Sequence, residues 1–130
     1  MAFRPEIRPY PVIEDGDMSS SITSDVTIIQ KISMLSYSYS WTGSSPSGSI
    51  SIQVSNDFEL NPDGTVKNSG TWNTITFLSS GSAVSSVAVS GNTGNGFIDL
   101  FQTGDYEIRT VYTRVSGSGT LQALINGKVA

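Results

Sequence analysis

The sequence predicts an all-β fold, an antiparallel β-sandwich of jelly-roll-like or immunoglobulin-like form with an extended N-terminal arm. Three features predict it. Leu35, Tyr37, Tyr39 and Trp41 share one parity with serines between them, and Ile50, Ile52 and Val54 repeat the device. A period of two places successive side chains on opposite faces of a strand, one for a core and one for water or a partner. Short apolar runs are separated throughout by Gly, Asn, Asp, Ser and Pro clusters, the spacing of a sandwich or closed barrel. Helical periodicity is poor: only residues near Leu121–Leu124 suit a helical turn, and β-branched and serine neighbours argue against extending it.

The 130 residues have the length of one domain, preceded by a segment of different texture. In residues 1–21, Pro5, Pro9 and Pro11 fix extended backbone, while Glu14-Asp-Gly-Asp17 and Ser19–Ser21 lack a packing pattern. This is read as an arm, either a disordered lead or a strap across a neighbouring subunit. Phe3, Ile7, Tyr10, Val12 and Ile13 give a strap something to bury.

Residues 22–130 are expected to form the single sandwich domain. Its candidate strands are Thr23–Ile32, Met34–Trp41, Ser49–Ser55, Thr71–Phe77, Ala83–Val89, Tyr106–Val115 and Thr120–Ile125. Thr42–Gly48 is read as the turn between two of them, and Gly117-Ser-Gly119 as another. Gly91–Gly96 reads as a flexible connection, because it lacks the lysine and helix of a phosphate loop. Phe97–Phe101 reads as a short strand or loop anchor that buries both phenylalanines. In Tyr106–Val115, Tyr106, Ile108 and Tyr112 fall on one face and Val111 and Val115 on the other. Such a strand is buried on both sides, or its outer face meets another subunit.

Composition excludes several function classes. Net charge is −4, from seven Lys and Arg against eleven Asp and Glu, and the basic residues form no run, so no nucleic-acid partner is expected. No apolar stretch is long enough to span a bilayer as a helix, so no transmembrane segment is expected. Arg4 and Arg8 are not followed by an apolar signal core, which favours synthesis in the cytoplasm without a secretory signal. Without cysteine there are no disulfides, no thiol catalysis and no cysteine-held metal; without histidine, Ser-His-Asp and Cys-His catalysis are excluded.

The remaining chemistry is sparse. Asp57, Glu59, Asp63, Asp99, Asp105 and Glu107 are the carboxylates that a hydrolase would need as a facing pair, and solvated turn charges are their ordinary role. Asn56, Asp57 and Asp63 offer loop oxygens to calcium but lack the alternating ligand series of an EF-hand. No enzyme activity, cofactor or metal is therefore expected. Aromatic residues are the best recognition surface. Phe3, Tyr10, Tyr37, Trp41, Arg109 and Tyr112 are the candidate contacts, with the sandwich core as the alternative place for the rings and surface pairing for the arginine. Trp72, after Gly70-Thr71, reads as a core plug.

Ser-Tyr-Ser-Trp-Thr-Gly, then Gly-Ser-Ile-Ser-Ile-Gln-Val-Ser-Asn-Asp, Gly-Thr-Trp-Asn and Ile-Arg-Thr-Val-Tyr-Thr-Arg-Val-Ser-Gly-Ser-Gly-Thr-Leu carry a resemblance over about residues 34–128. This texture resembles small β-sandwich structural proteins of tailed bacteriophages and related bacterial viruses. The resemblance implies a virion component, a capsid decoration, tail or connector protein, that forms homo-oligomers and contacts other virion proteins. A carbohydrate-binding module of a surface protein is the alternative; it requires Trp41 or a nearby tyrosine as an exposed platform for a surface glycan.

Overall fold

Two strands of 22 residues organise the chain, each more than twice the ordinary strand length. The computed structural model describes residues 6–29, 32, 34–79, 81–101 and 107–128. In chain order the strands are β1 (Glu6–Asp17), β2 (Ile22–Thr23), β3 (Thr27–Ile28), β4 (Met34–Ser55), β5 (Glu59–Leu60) and β6 (Val66–Asn68). They continue with β7 (Asn73–Thr74), β8 (Phe77–Ser79), β9 (Ser82–Val84), β10 (Val87–Val89), β11 (Thr93–Phe101) and β12 (Glu107–Lys128). Every pairing is antiparallel, and no helix occurs among the described residues.

The turn expected at Thr42–Gly48 is absent. Met34–Trp41 and Ser49–Ser55 are the two halves of β4, and neither pairs with the other. Instead β4 runs beside β12 from Met34 opposite Lys128 to Ser55 opposite Glu107. Gly117-Ser-Gly119 is likewise interior to β12. In the first half of this ladder, β1 adds outside β12, while β11, β8 and β9 follow beyond β4. In the second half, β2 and β3 flank β12, and β7 and β10 flank β4. The two halves are the two layers of the sandwich.

Side-chain parity explains how one strand serves both layers. Before the corner, odd positions face inward: Leu35, Tyr37 and Trp41 in β4 meet Leu121, Ala123 and Ile125 in β12. After it, even positions do: Ile50, Ile52 and Val54 meet Tyr112 and Ile108. An inserted bulge residue changes parity and bends the strand, and both strands bulge at the same place. Register shifts on either side of Ser116 and resumes with Ser44 opposite Ser118. Ser45 and Gly117 take the left-handed backbone there, at φ 49° and 77°. The Ser45 N–H donates to Asn92 Oδ1 at 2.8 Å, Gly43 N–H to Asn92 O at 2.7 Å, and Arg114 Nε to Gly117 O at 2.9 Å. The bent backbone thereby keeps its polar groups satisfied. Both layers share one apolar cluster, to which Val12, Ile13, Met18, Val89, Ile98 and Leu100 also contribute.

Residues 6–17 are extended, as their prolines imply, but are the edge strand of the first layer rather than an arm apart from the sandwich. Asp15 and Gln122 exchange hydrogen bonds across the β1–β12 pair, and Val12 and Ile13 are both buried because β1 is bulged. The boundary at residue 21 therefore does not divide the described fold. Phe3 lies outside the described residues. Gly91–Gly96 also differs from expectation: from Thr93 onward it is the start of β11. A Cβ on Gly94 would lie 2.3 Å from the Trp41 ring, and one on Gly96 2.5 Å from the Tyr39 hydroxyl. These glycines let the two rings, stacked with centroids 6.1 Å apart, lie across the neighbouring strand.

Gly117 gives the fold its sharpest test. A Cβ there would sit 2.1 Å from Ser45 O, on a backbone that L side chains rarely adopt. Gly117→Ala is expected to destabilise the protein by about 2–4 kcal/mol, read as a lower thermal midpoint and denaturant midpoint. An unchanged midpoint would mean that the corner is not built this way.

Candidate functional site

Three of the expected contact residues are interior. Tyr37 and Tyr112 are fully buried, and Trp41 is 7% exposed. Burial pushes the Tyr37 phenol well above its ordinary value, since an ionised ring would be unsolvated there. Its hydroxyl faces Thr110 Oγ1 without completing a hydrogen bond. Tyr112 Oη donates to Ser47 O at 3.3 Å and so anchors the corner. Trp41 Nε1 donates to Gly91 O at 3.1 Å while its ring covers Gly94. These rings pack the fold, and Trp41 offers no face to a sugar.

Arg109 and Trp72 belong together on the outer face of the second layer. The Arg109 guanidinium lies 4.1 Å from the Trp72 ring centroid, and its Nε donates to Gln53 Oε1 at 2.8 Å. Phe58 packs tilted against Trp72, with ring centroids 5.8 Å apart. Trp72 is thus a clamp on an outer sheet face, correcting its reading as a core plug. Tyr10, 57% exposed on β1, is the one described aromatic candidate that stays accessible.

Two of the candidate carboxylates are turn caps. Asp63 accepts from Thr65 N–H and hydroxyl, and Asp57 from Thr71 N–H and Ser55 hydroxyl, which hold both carboxyls below the usual range. Glu107 differs. It is 5% exposed, and burial, with the nearby Asp57 and Glu59 charges adding, raises its carboxyl; a hydrogen bond from Phe58 N–H opposes this. No group of three or more metal-binding side chains occurs among the described residues.

One surface left for recognition is the outer face of the first layer. Its floor is Ser36, Ser38 and Ser40, the polar parity of the alternating segment. Phe97 and Leu124 flank Ser38 as its partners on the two neighbouring strands and are 52% and 39% exposed. With Asn95, Gln122, Ser40 and Tyr39 they bound a shallow groove of about 400 Å³. A second groove, of about 580 Å³, opens at the far end beside Arg8, Asp99, Asn126 and Lys128. Phe97 was expected inside. The neighbouring sequence carried the opposite signal: Ile98 and Leu100 hold the inward parity of β11, leaving Phe97 and Asp99 outward.

No protein-family model matches the chain, and no curated protein matches it in sequence. Its architecture does have a counterpart among solved structures. The fold is shared with a prophage-derived protein. The SPBc2 prophage-derived protein YomS superposes with a TM-score of 0.63 over 97% of this chain and 96% of that one, at 13% identity. The likeness therefore covers the sandwich together with β1, and at this identity it is a likeness of fold. No helix among the described residues is long and apolar enough to cross a membrane.

Glu107 allows a signed pH test. Because the fold raises its carboxyl above the ordinary 4.5, the native state keeps a proton that the unfolded chain has lost. The site costs nothing below about pH 4.5 and becomes destabilising as pH rises through the raised value. The lowered Asp57 and Asp63 act oppositely, stabilising above 3.8 and losing that contribution on acidification. Glu107→Gln should raise the thermal midpoint at pH 7 by about 2–5 °C, with the gain vanishing near pH 4. A lower midpoint for the variant at pH 7 would show that the carboxylate is held by attraction.

Proposed function

We propose that this protein is a noncatalytic structural component of a phage-type particle, acting by self-association and by attachment to other proteins of a capsid, tail or connector. The observation that carries the reading is the whole-length likeness of fold to a prophage-derived protein. The surface supports it. Serine supplies 23 residues and charged residues only 14%, so large areas meet a partner with little charge to desolvate. Phe97 and Leu124 lie exposed on a sheet face, and Tyr10 on β1 and Ile28 on β3 are exposed as well. Contacts of this kind, a few apolar anchors ringed by hydroxyls, match the anatomy of protein interfaces. Burial of Trp41 against Gly94 takes that ring from the glycan-binding alternative and leaves it the half-buried Tyr39.

Two measurements test the proposal together: the mass of the purified chain by sedimentation over a wide concentration range, and the protein composition of particles purified from its native source. Self-association of the chain and its presence in particles at a fixed stoichiometry are expected. A strict monomer absent from such particles would overturn the proposal.

A further inference from the structure

The sheet of the first layer has one unguarded stretch of edge. β11 pairs with β4 along its whole length, from Thr93 opposite Thr42 to Phe101 opposite Met34. On its other side, among the described residues, β8 meets it only at Asp99 opposite Leu78. Among the described residues, the backbone of Thr93–Phe97 has a partner strand on one side only. Exposed strand edges are templates for pairing, and proteins blunt the ones they do not use with proline, charge, bulges or brevity. β1 carries Pro9, Pro11, Arg8, Glu14 and Asp15 and is bulged in three places, and β9 is three residues long. Thr93-Gly-Asn-Gly-Phe97 has no proline and no charge.

We propose that Thr93–Phe97 pairs antiparallel with the same segment of a second copy of this chain, around a two-fold axis at Asn95. The inference rests on the reading of the protein as a self-associating component and names the surface responsible. A two-fold interface must be self-complementary, and this register is. Asn95 meets the partner's Asn95, Thr93 meets the partner's Phe97, and Gly94 meets the partner's Gly96. On the outer face the β-branched and aromatic side chains form cross-strand pairs. On the inner face every seam position is glycine, already covered by the Tyr39 and Trp41 rings of its own chain. No side chain on that face obstructs the approach. Two chains of net charge −4 also meet along an uncharged strip. A pairing of five residues buries less than a stable independent dimer, so association in dilute solution is weak and gains strength from repetition within an assembly.

The chain has no cysteine, which permits a direct test. Asn95→Cys places one thiol from each copy at the axis, where directly opposed residues of an antiparallel pair come within disulfide reach. Rapid conversion to a disulfide-linked dimer is expected under mild oxidation. Val66→Cys, exposed on the β5–β6 hairpin, should cross-link only slowly. Asn95→Lys opposes like charges at the axis and should weaken self-association about tenfold or more with the monomer's thermal midpoint unchanged. If Asn95→Cys links no faster than Val66→Cys, or Asn95→Lys associates as the parent does, the edge pairing is wrong. Self-association that persists unchanged in Asn95→Lys overturns this edge while leaving the particle reading intact. A parent chain that stays monomeric and is missing from particles removes both.

Discussion

The fold depends on the antiparallel ladder between β4 and β12, which passes from one layer to the other and resumes its register beyond the corner. A sandwich built from separate hairpins could in principle assemble its sheets one after the other. Here the same two strands form the centre of both, and every other strand of the main sheet attaches to this pair directly or through β11 and β8. Burial of Tyr37 and Leu121 in one layer is therefore covalently tied to burial of Ile52 and Ile108 in the other. The paired residues lie dozens of positions apart in sequence, so little of the ladder is rewarded until the chain has closed long loops.

The corner exposes the cost of that economy of strands. Two left-handed residues, a buried proline and close backbone contacts are concentrated where β4 and β12 bend together. Asn92 just before β11, the Arg114 side chain and the Tyr112 hydroxyl hold the bend. The glycines of β11 solve a different problem. They make room for Tyr39 and Trp41, so that the largest side chains of the alternating segment cover a neighbouring strand, and the same glycines leave its edge unobstructed.

Much of this was legible in the sequence, and the misreadings have definite physical causes. Alternation in Leu35–Trp41 and Ile50–Val54 identified strands and separated their two faces, because a half-buried strand has no other periodic signature, but the same alternation suits a core face and a partner face alike. Whether Thr42–Gly48 reverses the chain or bends it was not written locally: a turn and a bulged corner both use Gly, Ser and Pro. The change from odd to even inward positions, present in both β4 and β12, was the available hint of a bulge. Pro9 and Pro11 suggested a segment outside the sheet, yet proline forbids only the interior of a sheet, and β1 is an edge strand. The pairing of Arg109 with Trp72, and the burial of Glu107 beneath Asp57 and Glu59, depend on how the loop from residue 56 to residue 72 folds back, which no local pattern encodes.

These features fit the proposed particle component in a specific physical sense: Tyr37, Trp41 and Tyr112 are consumed by the fold, and what remains outward includes Tyr10, a serine-floored face and an open strand edge. All of it presupposes that the two layers form one cooperative unit through the β4–β12 ladder. Native-state hydrogen exchange, followed residue by residue, tests that most directly. A single ladder predicts that the slowest amides of Leu35–Trp41 and of Ile50–Val54 open with the same free energy and are weakened equally by a replacement at Gly117. Persistent slow exchange in one layer while the other opens independently would contradict it.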